Sequence, residues 1–173
     1  ELAKLSARAL IESDRDGDDN DRRHGPFEFV DYQFHPASPT QGPFLSLLTH
    51  SPKHGLWLTR KLVDRAIAYY AADKDCGDNK FVISFEHEDK TFPWRESYAW
   101  ARQSAGHNGL TSALMALEEW GHRRVEAGDN IEAVIADVMA AVDMPAAGLL
   151  FVVDLLITHW PASRQASLPY CSV

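Results

Sequence analysis

Residues 109–160 read GLTSALMALEEWGHRRVEAGDNIEAVIADVMAAVDMPAAGLLFVVDLLITHW. Apolar residues in this stretch recur at intervals of three and four, which places them on one face of a helix. Asp129-Asn130 and Pro145 interrupt the pattern and divide it into three helices. The predicted helices cover about 109–127, 131–142 and 145–159. Helices joined by such short connections pack as neighbours, so the stretch predicts a helical bundle or a slice of an α-solenoid.

The third of these helices is apolar on every side except at Asp154. Such a helix belongs in the middle of the packing, where neighbours cover all of its faces. Asp154 is then a buried polar candidate, because an ionised carboxylate removed from water needs a partner. One interpretation is a structural bond to an arginine, a tryptophan indole or a helix N-terminus. The other is a functional carboxylate.

The chain before this stretch predicts two further helices and one pair of strands. Residues 44–48 form a short apolar helix, and Ser51-Pro52 supplies an N-cap and a first-position proline for a longer one. Residues 81–85 have the composition of a strand that returns through Phe92. The expected fold class is therefore mainly α, a bundle or solenoid slice with one small β-hairpin near residues 81–93.

The charge pattern separates the start of the chain from the rest. Between residues 12 and 21, six acidic residues against Arg15 account for −5 of the formal net charge of −8. Residues 1–23 predict a helix end and an acidic loop, and residues 24–173 predict a single helical domain. The chain begins at Glu1 without an initiating methionine, so we expect a segment of a larger protein.

The composition argues against two classes of partner and indicates a cellular location. Lys plus Arg number 17 against 25 Asp plus Glu, a balance that repels phosphate backbones, so we expect no nucleic-acid partner. The longest apolar run, residues 144–157, is too short for a bilayer, so we expect no membrane partner. Only two cysteines occur, where a secreted disulfide scaffold has many, so we expect a cytoplasmic protein.

Three aspartates in the acidic loop are weak candidates for a metal site. Asp14, Asp16 and Asp18 occupy the first alternating positions of an EF-hand-like calcium loop. The sixth position, which requires glycine, is Asp19, and the twelfth, which requires a bidentate glutamate, is Gly25. The pattern favours a solvated loop, with a calcium-responsive binding module as an alternative.

The histidines and sequence motifs do not indicate a reaction. His50 and His54 have the spacing of two zinc ligands on a helix, but Pro52 lies between them and no HExxH motif occurs. His122 and His159 are isolated near predicted helix ends. No P-loop, GxGxxG or GxSxG sequence is present. We therefore expect no catalytic, cofactor-binding or metal-binding residue in this segment, and no enzyme.

Several stretches, in order, carry a resemblance to a known class of protein. They are Phe34-His35-Pro36-Ala37 with 41–48, 55–63, Phe92 with Trp94 and Trp100, Ser112 to Trp120, Val152-Val153-Asp154 and His159-Trp160-Pro161. Together they span residues 27–170 and resemble the long helical regions of large bacterial ATP-binding proteins related to STAND-type NTPases, some of which serve in anti-phage defence.

The resemblance implies a non-catalytic scaffold or sensor. In such proteins the nucleotide site lies in a separate upstream domain, and the helical part contacts other domains of the same chain or a protein partner. The matching residues are packing positions, so the resemblance implies no catalytic residue and no cofactor here. A different hypothesis is a small stand-alone helical enzyme that uses Asp154 and a histidine.

Overall fold

The structure is a computed structural model that describes residues 37–72, 80–84, 89–93, 108–140 and 146–171. Within these ranges the chain forms six helices and a two-stranded sheet. In chain order they are α1 (Phe44–His50), α2 (Pro52–Ala72), β1 (Lys80–Ser84), β2 (Asp89–Pro93), α3 (Asn108–Glu126), α4 (Ile131–Ala140), α5 (Ala146–Thr158) and α6 (Arg164–Cys171). The prediction of a mainly α fold with one small hairpin is confirmed.

Some sequence predictions fall outside the described residues. These are the helix end and acidic loop of residues 1–23, with the calcium candidates Asp14, Asp16 and Asp18, and the aromatic positions Trp94 and Trp100. None of the helices in the described ranges combines the length and apolar character needed to cross a membrane.

Helices α1, α2 and α3 contribute most residues of the main core, and α4 and α5 contribute the rest. Gly55 lets α2 approach α1 closely, since a Cβ at this position would lie 2.7 Å from the backbone nitrogen of Leu48. Fully burying a large aliphatic side chain contributes roughly 1.5–3 kcal/mol, so this packing stabilises the helices more than their intrinsic propensity does. The fully buried residues of these helices include Leu48, Leu58, Val63, Leu110, Leu114 and Leu117.

Strand β2 of the hairpin has one buried face and one exposed face. Strands β1 and β2 pair antiparallel, with Val82 opposite Thr91 and Phe81 opposite Phe92. Val82 and Thr91 are exposed, whereas Phe92 is buried. Successive side chains of a strand point to opposite faces, so one face of β2 is covered and the other meets solvent.

Asn130 and not Asp129 caps the start of α4 in the turn between α3 and α4. The side-chain oxygen of Asn130 accepts from the N–H groups of Glu132 and Ala133 at 2.8 and 3.1 Å. Asp129 instead accepts a hydrogen bond from Arg124 Nε at 2.6 Å. Asparagine and aspartate are equally good caps, so the local pattern does not distinguish them.

Helix α5 is not buried on all sides, contrary to its prediction. Phe151 and Leu155 pack in the core, but Val153 is exposed and Ile157 is 70% exposed. Helices α3 and α4 contact one side of α5, and α6 packs beside it without covering the other. The apolar character of α5 therefore supplies a core face and, separately, a surface patch.

Helix α6 was not predicted from the sequence. Its residues Ala166 and Tyr170 pack against a small second core formed by Ile135, Val152 and Leu156. This packing fixes α6 beside α5 and defines the region in which the candidate site lies.

Candidate functional site

Four polar side chains meet where α5 ends beside α3, and we call them the polar cluster: Glu118, His122, Asp154 and His159. His122 Nε2 lies 3.0 Å from Asp154 Oδ2, and His122 Nδ1 lies 3.0 Å from His159 Nε2. One ligand atom from each of Glu118, His122 and Asp154 falls within 4.8 Å of the other two. The two imidazole rings lie 5.2 Å apart at an angle of 39°.

The two hydrogen bonds of His122 give one consistent set of hydrogen positions for neutral imidazoles. A carboxylate oxygen accepts, so His122 Nε2 donates to Asp154. A neutral His122 then accepts at Nδ1, and His159 Nε2 is the donor. With both rings neutral, the arrangement is a continuous chain of hydrogen bonds from His159 through His122 to Asp154, and His159 Nδ1 is then the ring nitrogen without a hydrogen.

A glycine brings the two helices close enough to form the cluster. Gly121 precedes His122, and Leu155 follows Asp154. A Cβ at Gly121 would lie 3.3 Å from Leu155 Cδ1 and 3.7 Å from Val134 Cγ1. The missing side chain at Gly121 therefore allows α5 to lie against α3 at the level of the cluster.

His159 is positioned by the turn that follows α5. Its N–H donates to Leu155 O, and its carbonyl accepts from the N–H of Ser163. The hydroxyl of Ser163, which has no exposure, donates to Leu156 O. These bonds tie both ends of the turn to the last turn of α5, so the His159 ring is held beside His122.

Asp154 has the partner that its position required, but it is not buried. Its side chain is 42% exposed, and its partner is a histidine rather than an arginine, an indole or a helix N-terminus. The expectation of full burial is wrong because one side of α5 meets solvent. The expectation that His122 and His159 are isolated is also wrong. Besides the polarity of Asp154 in an apolar helix, a sequence signal for this site is the i, i+4 spacing of Glu118 and His122, which places them on one helix face.

The other histidine pair does not converge. His50 Nδ1 bonds Ser46 O at 2.9 Å, and His54 Nδ1 bonds the hydroxyl of Ser51 at 2.7 Å. Each ring is therefore bonded to a residue three or four positions earlier in the chain. The structure does not bring His50 and His54 together as ligands of one ion.

The arginines beside His122 are bound elsewhere. Arg123 Nε donates to Glu119 at 2.7 Å, and Arg124 bonds both Asp129 and Asp137. Burial lowers the pKa of Arg124, but its hydrogen bonds and ion pairs with the two aspartates outweigh this and leave the pKa raised. The Arg124 guanidinium also lies 4.8 Å from the centre of the Trp120 ring. Arg124 thus joins α3 to α4.

An apolar groove lies between α5 and α6, next to the polar cluster along the chain. It has a volume of about 500 Å³. Trp160, which is 57% exposed, and Ile157 stand at its edge, and Leu156 is a buried part of its wall. The groove is lined by Val153, Leu156, Ile157, Trp160, Ser167 and Tyr170.

The groove and the polar cluster share the end of α5. His159 belongs to the cluster, and the next residue, Trp160, belongs to the groove.

The chain was compared with protein-family models, curated proteins and solved structures, and none of them matches it. The function is therefore inferred from the geometry of the cluster and the groove.

Proposed function

We propose that this chain is a helical interaction module, and that the groove between α5 and α6 binds an apolar face of a helix from a protein partner or another domain. The observation that supports this most is the exposure of Ile157 and Trp160 at the edge of an apolar groove. Contiguous apolar surface is characteristic of interaction sites. Tryptophan is also enriched among residues that contribute most of the energy of an interface.

The shape and charge of the surface favour a helical protein segment as the occupant. Helices α5 and α6 and the turn between them line the groove, and helix-in-groove recognition places side chains at positions i, i+3 and i+4 of a third helix in such a groove. The lining residues carry no charge, and the chain as a whole has a net charge of −8. A nucleic acid would meet the negative net charge and no cationic side chain among the lining residues, whereas an apolar helix face would replace water over Trp160 and Ile157.

Site-specific photocrosslinking in cells tests this proposal directly. A photoreactive amino acid at Ile157 should give a discrete adduct with another protein or domain. The same amino acid at Leu168 is the matched control, because Leu168 is a comparably exposed aliphatic residue that does not line the groove. Mass spectrometry of the Ile157 adduct should map crosslinked residues at helical spacing.

Charge substitutions at the same two positions give a second measurement. Ile157→Lys should abolish the adduct formed from a probe at Val153, while Leu168→Lys should leave it intact. Both side chains are mostly exposed, so each change should alter the free energy of unfolding by less than about 0.5 kcal/mol. Equal crosslinking from Ile157 and Leu168, or adducts that survive Ile157→Lys, would refute a specific groove partner.

The wider setting of the module is a proposal that rests on the sequence resemblance. We place it in a large cytosolic bacterial ATP-binding protein of the STAND-type class, with the nucleotide site in another domain and a role in anti-phage defence. An immunoblot of native extract should then detect a band far above 19.4 kDa. ATP hydrolysis by the isolated chain would contradict the placement of the nucleotide site.

The hydrogen-bonded chain Asp154–His122–His159 favours a second candidate function, general-base catalysis. In this hypothesis Asp154 orients His122, which accepts from His159 and leaves His159 Nδ1 able to take a proton. A substrate screen with wild type and Asp154→Asn separates the two candidates. Turnover that disappears in the variant supports an enzyme, and a change in stability alone supports a structural role.

A further inference from the structure

Three side chains of the polar cluster are possible metal ligands, and the proposed binding of a partner helix does not involve them. Glu118 and His122 lie one turn apart on α3, and Asp154 faces them from α5. Two carboxylates and one imidazole, presented by two helices that the core holds in place, form a ligand set of mixed nitrogen and oxygen donors. Such donors suit divalent first-row transition metals, zinc among them.

The distances in the cluster fit one ion after a small movement of Glu118. Zinc bonds to nitrogen and oxygen ligands at about 2.0–2.2 Å, so two ligand atoms in a tetrahedral site lie about 3.3 Å apart. His122 Nε2 and Asp154 Oδ2 are already 3.0 Å apart. The three ligand atoms all lie within 4.8 Å of one another, so the Glu118 carboxylate needs to move by no more than about 1.5 Å, within the range of a glutamate rotamer change.

His159 is placed to support the metal-bound form of His122. A ligating histidine usually donates its second ring N–H to a neighbouring acceptor, which fixes the orientation of the ring. His159 Nε2 lies 3.0 Å from His122 Nδ1 and can be that acceptor. When zinc takes Nε2 of His122, the hydrogen of that ring moves to Nδ1, and the hydrogen of His159 moves from Nε2 to Nδ1. Both rings change tautomer, and the pair keeps the same number of protons.

We propose that Glu118, His122 and Asp154 bind one Zn²⁺ ion between α3 and α5, with His159 as the positioning residue of His122. Three protein ligands leave one coordination position open to water or to a group from a partner. The hard cations Ca²⁺ and Mg²⁺ prefer shells of oxygen atoms, so the imidazole selects against them. The proposal does not depend on the groove partner.

Competition titration of the purified chain tests the site with zinc alone as the probe. The protein is first stripped with a chelator and then titrated with Zn²⁺ in the presence of a chromophoric chelator. Glu118→Gln keeps the size of the side chain and removes one ligand, and it should weaken the strongest site more than about tenfold. Glu119→Gln is the matched control, because Glu119 is the adjacent glutamate and pairs with Arg123 instead. The dissociation constant of the control for Zn²⁺ should lie within about twofold of the wild-type value.

His122→Gln and Asp154→Asn should each produce the loss seen with Glu118→Gln. Far-UV circular dichroism confirms that each variant is folded. If either fails to fold, the comparison of Glu118→Gln with Glu119→Gln still decides the proposal, since both positions lie at the helix surface. Millimolar Mg²⁺ should not displace the zinc.

Imidazole ¹⁵N NMR provides a readout that a merely structural cluster would not give. Zinc should convert both His122 and His159 from the Nε2–H to the Nδ1–H tautomer, and His50 should not respond. His159→Gln should weaken zinc binding by about tenfold while leaving the stoichiometry at one ion. Equal affinity in Glu118→Gln and Glu119→Gln, binding that survives His122→Gln, or tautomers that zinc does not change would each overturn the proposal.

Discussion

Replacing Ser163 by alanine should cost more stability than the loss of an ordinary exposed hydroxyl group. Ser163 has no solvent exposure, and its hydroxyl donates to the carbonyl of Leu156 at the end of α5. The next N–H groups cannot replace it: His159 donates to Leu155 O, Trp160 donates to Ile157 O, and Pro161 has no N–H. In the variant, the Leu156 carbonyl loses its donor in a place that water does not reach.

The size of the effect follows from burial. A buried acceptor left without a donor costs about 1–3 kcal/mol, and we expect Ser163→Ala to lower the free energy of unfolding by that amount. Ser167→Ala removes a bond of the same type, from a hydroxyl to the Arg164 carbonyl at 2.8 Å, but at an exposed position. Water replaces that donor, so the expected loss is below about 0.5 kcal/mol.

Urea denaturation of wild type and both variants, followed by circular dichroism, measures the difference. The slopes of the transitions should agree, because none of the changes alters the surface exposed on unfolding. Ser163→Ala should have a clearly lower midpoint than Ser167→Ala. Losses equal within about 0.3 kcal/mol would refute the reasoning, since burial of the acceptor is the main difference between the two bonds.

Three further changes test other parts of the fold by the same assay. Gly55→Ala should destabilise by about 1–3 kcal/mol although alanine is the better helix former, because its Cβ would meet the Leu48 backbone at 2.7 Å. Asn130→Ala should cost about 1 kcal/mol, because it removes the cap from two N–H groups of α4. Burial raises the pKa of the Tyr170 phenol, so above about pH 10 the folded state holds this proton longer than the unfolded state, and stability falls. Tyr170→Phe should therefore lose less stability than wild type between about pH 9 and 11.

The helices that the sequence predicts best are those with one clear apolar stripe. Leu110, Leu114 and Leu117 recur at three- and four-residue intervals, and all three are fully buried on α3. Here the local pattern and the tertiary packing agree, because one face of the helix carries nearly all of its apolar residues. The start of α2 at Pro52 follows from the same kind of local rule.

Helices α5 and α6 show where local pattern stops being informative. An all-apolar helix predicts burial, but sequence does not reveal whether enough neighbouring elements exist to cover every face of α5. Helix α6 begins with polar residues and contains Pro169, so its propensity is low, and it forms by packing Tyr170 on Leu156. Both outcomes depend on tertiary contacts that no window of sequence contains.

The polar cluster depends on such contacts to a still greater degree. His122 and His159 are 37 residues apart, and they meet because α5 packs closely against α3 beside Gly121. The sequence singled out Asp154 for its polarity in an apolar helix and predicted that it is buried, and the predicted burial is wrong. What makes Asp154 notable is a histidine on another helix rather than burial.

The turn after α5 supports both the polar cluster and the groove. Ser163 fixes the turn that carries His159 into the cluster and Trp160 to the groove, so a change at Ser163 should weaken zinc binding and partner crosslinking together. Ile157→Lys changes only the groove edge, and Glu118→Gln changes only the cluster. If each of these affects its own site and Ser163→Ala affects both, the end of α5 is a common support for two separate sites. If Ile157→Lys also weakens zinc binding, the cluster and the groove are instead a single site.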